Sequence, residues 1–458
     1  MSTAAPGSHY PEMMAIVSVG ARGRGLGWLD KQRAGPWQAL VRTHPALLLV
    51  PFLAIFVLAA LYLPERQNDE SGYLGLARNI LDGDYAKGPP DALLDSDETY
   101  PDLWFGPGLP LVLTGPVAAG FPLWLVRLIG PLLLFAAVLV FYALMRRHTG
   151  PKAALLAAGA LGMYLPYYTL LPALHSEALA ILFVVVALYA TARVCEGAGR
   201  RWLLFGAVAL AGLALTRVDY GWVLTAVLVA VLVWWLVSRR ATAGRLAAMY
   251  ALGLALCLPW LAYTTAETGR VFQWGNSGGL SVYWMSSPYA GDLGDWQKAE
   301  AVLSDPDLAP HRSFFASLEG RSLPDQNARL ERRALENIRD HPLKYVENLA
   351  ANVSRMFFDT PYSYSSQRLT AMYFAIPNAL LLGVLLFAVV VAVRVRGSLP
   401  PPTAPFAIFA IAAFGLHALV SAYPRMLFPI VPVLVWFAGT TIANHVRVVD
   451  GPHAQGST

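Results

Sequence analysis

The chain has 458 residues, 56% of them hydrophobic and 14% charged, with a formal net charge of +5 and a mean hydropathy of +0.48. Soluble domains carry roughly 25% charged residues, and apolar runs recur here from residue 45 to residue 443. A soluble enzyme, a collagen-like chain and a disordered chain are therefore excluded, and the composition describes an all-α polytopic membrane protein. The basic residues gather at the ends of apolar runs, where Lys and Arg report topology, so the positive charge does not point to a nucleic acid partner. Cys195 and Cys257 lie in or beside apolar runs and offer neither a disulfide framework nor metal-ligand spacing.

In chain order, residues 1–44 are rich in Gly, Pro and Arg, show no cleavable signal and read as a cytoplasmic tail. A span needs about 20 apolar residues, and about ten are expected, near 45–63, 122–145, 153–171, 177–193, 202–217, 220–238, 247–265, 371–393, 404–421 and 425–443. The organisation that follows is a transmembrane catalytic module over 45–265 with an outer loop at 64–121. A large outer loop at 266–370, C-terminal helices over 371–443 and a cytoplasmic tail at 444–458 complete it.

Sidedness follows from the short loops. Arg146, Arg147 and Lys152, then Arg193, Arg200 and Arg201, then Arg239, Arg240 and Arg245, then Arg394 and Arg396, fall on one side together with Arg22, Arg24, Lys31, Arg33 and Arg42. By the positive-inside rule this side is the cytoplasm, so both termini are expected there, in a cytoplasmic (inner) membrane. Of the acidic residues only Glu12, Asp30, Glu196 and Asp450 share that side, which places the polar chemistry outside.

The outer loops carry helices that are not spans. Pro107 to Phe121 is apolar but brief and interrupted by Pro110 and Pro116, and is expected to lie along the interface. From Asp325 to Phe358, apolar residues such as Leu330, Ala334, Leu349, Val353 and Met356 alternate with charges near helical spacing. Pro342 should divide this stretch into two amphipathic helices resting on the membrane surface and roofing a cavity. Asn352-Val353-Ser354 fits a glycosylation sequon, but the helix around it reads as structural.

Chemistry is concentrated at span ends. The first span is followed by Asn68-Asp69-Glu70-Ser71-Gly72-Tyr73, two adjacent carboxylates opening a short helix. The local reading is an N-cap favoured by the helix dipole. The chemical reading is a general base, because limited hydration raises a carboxylate's proton affinity. Glu177, in His175-Ser176-Glu177, opens the fourth span on the same face, and an ionisable residue at that depth is a functional candidate. His175 is a lone histidine that could serve as a ligand or be structural. Arg127, Arg217 and Arg425 stand on the outer face against the general trend, where a guanidinium can hold a phosphate bidentately or snorkel to headgroups. Arg217 has a nearby competitor in Asp219, whereas Arg425 has no acidic neighbour in sequence. A divalent metal on Asp69 and Glu177 is compatible with the pattern, but carboxylates this sparse do not demand one.

Over nearly the whole chain after residue 45, the sequence resembles the GT-C membrane glycosyltransferases. It is most similar to bacterial relatives of the protein O-mannosyltransferase (glycosyltransferase family 39) and lipid A aminoarabinose transferase families. The resemblance rests on Asp69-Glu70-Ser71-Gly72-Tyr73, Pro107-Gly108-Leu109-Pro110, Ser176-Glu177, Thr216-Arg217, Pro259-Trp260, Thr268-Gly269-Arg270, Asn276-Ser277-Gly278-Gly279-Leu280, Ala334 to Pro342 and Tyr423-Pro424-Arg425. Those families often read Arg-Tyr before the last span, and a Pro where Val218 follows Arg217.

The resemblance implies an inverting transfer of sugar from a polyprenyl-phosphate carrier to an acceptor hydroxyl at the outer face. It implies Asp69 as catalytic carboxylate, Glu70 in support, and Glu177 as a second acidic position that binds metal or positions the acceptor. Arg425, Arg217 and Arg127 would bind the donor phosphate, and His175, Tyr73 and Arg270 would be acceptor or auxiliary residues. The acceptor it implies is a glycan, a lipid or a protein. Two alternatives stay open. One is a transporter or flippase of lipid-linked sugars, which predicts ionisable residues midway through spans; His417 in the ninth span is the exception to their scarcity. The other is a lipid-linked oligosaccharide ligase or polymerase.

Overall fold

The computed structural model describes residues 44–64, 69–85, 103–364, 369–395 and 398–446. The basic N-terminal tail, Arg396 and the acidic middle of the 64–121 segment lie outside the described residues. The described residues contain helices and no strand. We number the helices α1 Val50–Tyr62, α2 Glu70–Asp82, α3 Gly108–Ala118, α4 Leu123–Arg127, α5 Ile129–His148, α6 Pro151–Gly162, α7 Ser176–Cys195, α8 Arg200–Thr216, α9 Asp219–Ser238 and α10 Ala241–Leu256. Next come α11 Leu258–Thr268, α12 Gly278–Met285, α13 Ala299–Ser304, α14 Ala309–Ala316, α15 Leu323–Asp340, α16 Pro342–Phe358, α17 Met372–Arg394, α18 Thr403–Ala418 and α19 Val431–His445.

Among the described residues, five helical stretches are long and apolar enough to cross a membrane, and a sixth is added if α10 and α11, which meet at a 44° bend, form one span. The remaining expected spans are present as shorter helices, and proline accounts for two of them. The 153–171 stretch stops at Gly162 and gives way to a 3-10 turn with Pro166 near its start. The 425–443 stretch begins as a 3-10 turn at Pro424–Leu427 and becomes α-helical only at Val431, with Pro432 in the first turn. A proline lacks the amide for the helical ladder, so it is tolerated at a helix start and breaks an interior.

Helix α7 is the centre of the bundle: 67% of its span is buried, against 17% for Leu369–Arg394. It packs between α5 and α8, α8 continues to α10, and α9 packs on α10 and α18. Helix α19 leans on α17 and α6. Between the helices lies one large apolar core containing Phe141, Val184, Leu210, Tyr220, Phe406 and Trp436.

Two smaller cores sit at one end. Helices α2 and α3 pack on each other over Tyr73, Ala77, Leu109 and Leu113, joined by Leu174 and Leu179 from the entry to α7. The large loop folds on its own core of Leu280, Tyr283, Trp284, Val302, Phe315 and Leu330. As the sequence predicts, Pro342 separates α15 from α16. The inward face of α16 is polar, however: Asn348, Asn352 and Arg355 are fully buried, while Leu343 and Val346 are exposed.

Candidate active site

Apart from Arg270, the catalytic candidates come from five chain segments that end at the same pole of the bundle. The opposite pole holds the basic turns, where Arg147 and Arg193 both pair with Glu196.

Asp69 precedes the first turn of α2, yet its carboxylate makes no capping bond to that helix. It pairs with Nη1 of Arg425 instead. The capping reading is therefore not met, since an N-cap would accept from the helix's own amides. Helix α2 is closed at its other end by Gly83, whose left-handed conformation (φ 86°) returns its amide to Asn79 and Ile80.

Arg425 stands in the 3-10 turn before α19, and its Nε lies 3.7 Å from Oε1 of Glu177. Glu177, in the first turn of α7, is 1% exposed and accepts from Nη1 of Arg217 at 2.6 Å. Arg217 occupies the extended residue between α8 and α9, and its Nη2 reaches Oδ2 of Asp219 at 3.2 Å. The same Oδ2 meets Nε2 of His417, near the end of α18, at 2.6 Å. The other ring nitrogen of His417 faces the Ala413 carbonyl at 2.6 Å.

The result is one continuous chain of alternating charge: Asp69, Arg425, Glu177, Arg217, Asp219, His417. Glu177, Arg217 and His417 are buried, while Asp69 and Arg425, each 23% exposed, and Asp219, 36% exposed, are partly open. Residues up to 356 positions apart are thereby joined. Sequence reasoning named Asp219 only as a competitor for Arg217 and His417 only as an exception within a span. Nothing local to either residue indicates the other, 198 positions away.

Close backbone packing sets this arrangement. A Cβ added to Gly108 would stand 2.7 Å from Cα of Thr216, so the start of α3 can seat against the end of α8 only as glycine. The residue after Thr216 is Arg217. This gives the Pro107-Gly108 motif a physical reason.

The other candidates divide. Glu70 faces away from Asp69: its carboxylate takes a bidentate pair of 2.8 Å bonds from Arg127 and a 3.1 Å bond from the Leu174 amide. Glu70 and Arg127 thus tie α2 to the approach to α7. Tyr73 is buried beside Phe105, with ring centres 4.5 Å apart. Burial first, then the carboxylates of Glu177 and Asp69, raise its hydroxyl's proton affinity, and Ser176 is its hydrogen-bond partner. His175 is buried with Nδ1 lacking a partner, and burial lowers its pKa. Arg270 belongs elsewhere, donating to the Pro324 carbonyl at 2.9 Å and facing Glu331 at 3.8 Å.

Asp69 and Glu177 flank a guanidinium rather than each other. Among the described residues no three His, Cys, Asp or Glu side chains group to hold a metal ion. As arranged, these residues do not fit a divalent ion.

Residues 109–263, about a third of the chain, match the family model described as dolichyl-phosphate-mannose-protein mannosyltransferase. None of the curated protein sequences matches the chain. Among solved structures, the oligosaccharyltransferase AglB of Archaeoglobus fulgidus, in complex with an inhibitory peptide and a dolichol-phosphate, is 13% identical. The match covers 88% of this chain and 50% of that one, with a TM-score of 0.51. The chain has the GT-C fold. An Archaeoglobus fulgidus oligosaccharyltransferase in the apo form matches at 12% identity over 86% of this chain and 50% of that one, with a TM-score of 0.51. The chain spans about half the length of the archaeal structures it matches. ArnT from Cupriavidus metallidurans bound to undecaprenyl phosphate is 15% identical over 88% of this chain and 78% of that one, at a TM-score of 0.40.

Proposed function

We propose that the protein is an inverting glycosyltransferase that moves a sugar from a polyprenyl-phosphate carrier to an acceptor hydroxyl at the outer face of the cytoplasmic membrane. The observation that carries this reading is the Asp69–Arg425–Glu177 contact, a partly open carboxylate and guanidinium held together at the pole away from the basic turns.

The chemistry needs little else. A sugar phosphate already carries its leaving group, so the protein must take a proton from the acceptor and stabilise charge on the departing phosphate. Asp69 accepts the acceptor's hydroxyl proton. The acceptor oxygen forms its bond to the anomeric carbon from the face opposite the phosphate, while the carbon–oxygen bond to phosphate breaks and its electron pair leaves on the lipid. Arg425 receives that charge, with Arg217 behind it.

In the resting chain Arg425 is engaged by Asp69. A donor phosphate competes with Asp69 for the same guanidinium, so donor binding releases the carboxylate for its role as base. Glu177, fully enclosed and paired to Arg217, holds the two arginines in register. The family description and the dolichol-phosphate named with the archaeal structure support the donor class.

The test is to incubate the purified full-length protein with a panel of polyprenyl-phosphate sugars and measure donor consumption for wild type and Asp69→Asn. Removing a general base costs on the order of 10²–10⁴-fold in rate. Equal turnover by the two proteins removes Asp69 from the mechanism. Carriage of intact donor across liposomes without consumption replaces the transferase by a transporter.

A further inference from the structure

We propose that Asn352 and Arg355 of α16 are positioning residues that set Arg425 for the donor phosphate; this rests on the reading of Arg425 given above. Residues 417–422 form a strap between α18 and the turn that carries Arg425. A chain of this kind has backbone groups that no helix satisfies. Here one side chain reaches four of them. The Asn352 amide nitrogen donates to the carbonyls of His417 at 3.4 Å, Ala418 at 3.0 Å and Val420 at 2.7 Å. Its oxygen accepts from the Ala422 amide at 2.9 Å and from Arg355 Nη2 at 3.0 Å.

Arg355 completes the hold. Its Nε donates to the Ala422 carbonyl at 3.2 Å, and its Nη1 donates to the Pro361 carbonyl at 2.8 Å. Both side chains are 0% exposed. Tyr345, two turns before Asn352 in α16, donates to the Leu419 carbonyl at 2.9 Å, and the Ser421 amide donates to the Ser281 carbonyl at 3.1 Å.

The two ends of the strap are members of the charged chain: His417 at one end, and Arg425 three residues past the other. Helix α16 therefore fixes both at once from outside the bundle. The asparagine of the sequon, fully enclosed in this way, is an internal clamp and not a glycan acceptor.

The test is a double-mutant cycle on the full-length protein in detergent, reading the Kd for undecaprenyl phosphate by titration calorimetry. Asn352→Ala should weaken binding about tenfold or more, as displacement of a binding group does. Arg425→Ala should weaken it as well. The double variant should bind no worse than Arg425→Ala alone, because Asn352 acts only through Arg425. A purely structural role would lower yield and thermal stability while leaving the Kd of the folded fraction unchanged.

Folded Asn352→Ala with wild-type Kd, or additive losses in the double variant, overturns the positioning role. An unchanged Kd in Arg425→Ala overturns the reading of Arg425 as the phosphate ligand. Arg355→Gln, which keeps an amide in place, carries the same cycle if Asn352→Ala does not fold, and the same two outcomes decide it.

Discussion

Replacing Arg217 with alanine removes the main partner of the most enclosed carboxylate among the described residues. Glu177 is 1% exposed, and its bond to Arg217 is 2.6 Å long. Two unit charges about 4 Å apart attract by roughly 4 kcal/mol at an effective permittivity near 20. Truncating one member of a buried pair costs about 3–5 kcal/mol. Arg425 stays 3.7 Å from Glu177 and offsets part of this. Asp219, more open and still bonded to His417 at 2.6 Å, adds little. The expected loss is therefore at the lower end, about 3 kcal/mol, or roughly 10²-fold in the ratio of folded to unfolded protein. Glu177→Gln should cost less, because Arg217 keeps Asp219 as a partner at 3.2 Å. The double variant should be more stable than Arg217→Ala, because no buried charge is then left without its partner. Unfolding in mixed detergent micelles, followed by intrinsic tryptophan fluorescence, measures all three. A loss below about 1 kcal/mol for Arg217→Ala, or strictly additive losses in the double variant, would refute the reasoning.

Three further predictions concern neighbouring parts of the site. Gly108→Ala forces a methyl group against the backbone of Thr216. It should cost about 1–3 kcal/mol and lower transfer activity by displacing Arg217, as the same unfolding assay and donor consumption would read. Glu70→Gln weakens the bidentate link to Arg127; it should lower stability while leaving the donor Kd unchanged, and a tenfold change in that Kd would return Glu70 to the phosphate site. His175 is held below its ordinary pKa by burial. Below about pH 6.5 the unfolded chain takes up a proton that the folded chain refuses, so this contribution to stability is present at higher pH and lost as the pH falls. The stability difference between wild type and His175→Asn should change with pH in that acid range. A difference independent of pH would contradict it.

Much of the scaffold is legible in the sequence because bilayer crossing imposes long apolar runs, and because Pro342 and Gly83 end helices by local backbone chemistry. The positions of Asp69, Glu177, Arg217 and Arg425 at helix ends are legible for the same reason. Their neighbours are less so. Adjacent residues at a helix start point about 100° apart, which is why Asp69 faces Arg425 while Glu70 faces Arg127. The apolar pattern of α16 draws attention to Leu349 and Val353, yet its enclosed face is built from Asn348, Asn352 and Arg355. Those polar groups serve loop carbonyls, and hydropathy cannot reveal a partner that exists only after folding. The meeting of Asp219 with His417 is tertiary in the same sense.

The most direct test of the site separates donor binding from turnover in Asp69→Asn. If Asp69 is the base and Arg425 the phosphate ligand, this variant binds undecaprenyl phosphate at least as tightly as wild type, because a competitor for Arg425 has been neutralised. Its kcat for sugar transfer falls by about 10²–10⁴-fold. Wild-type kcat, or loss of lipid phosphate binding with kcat retained, would contradict the account.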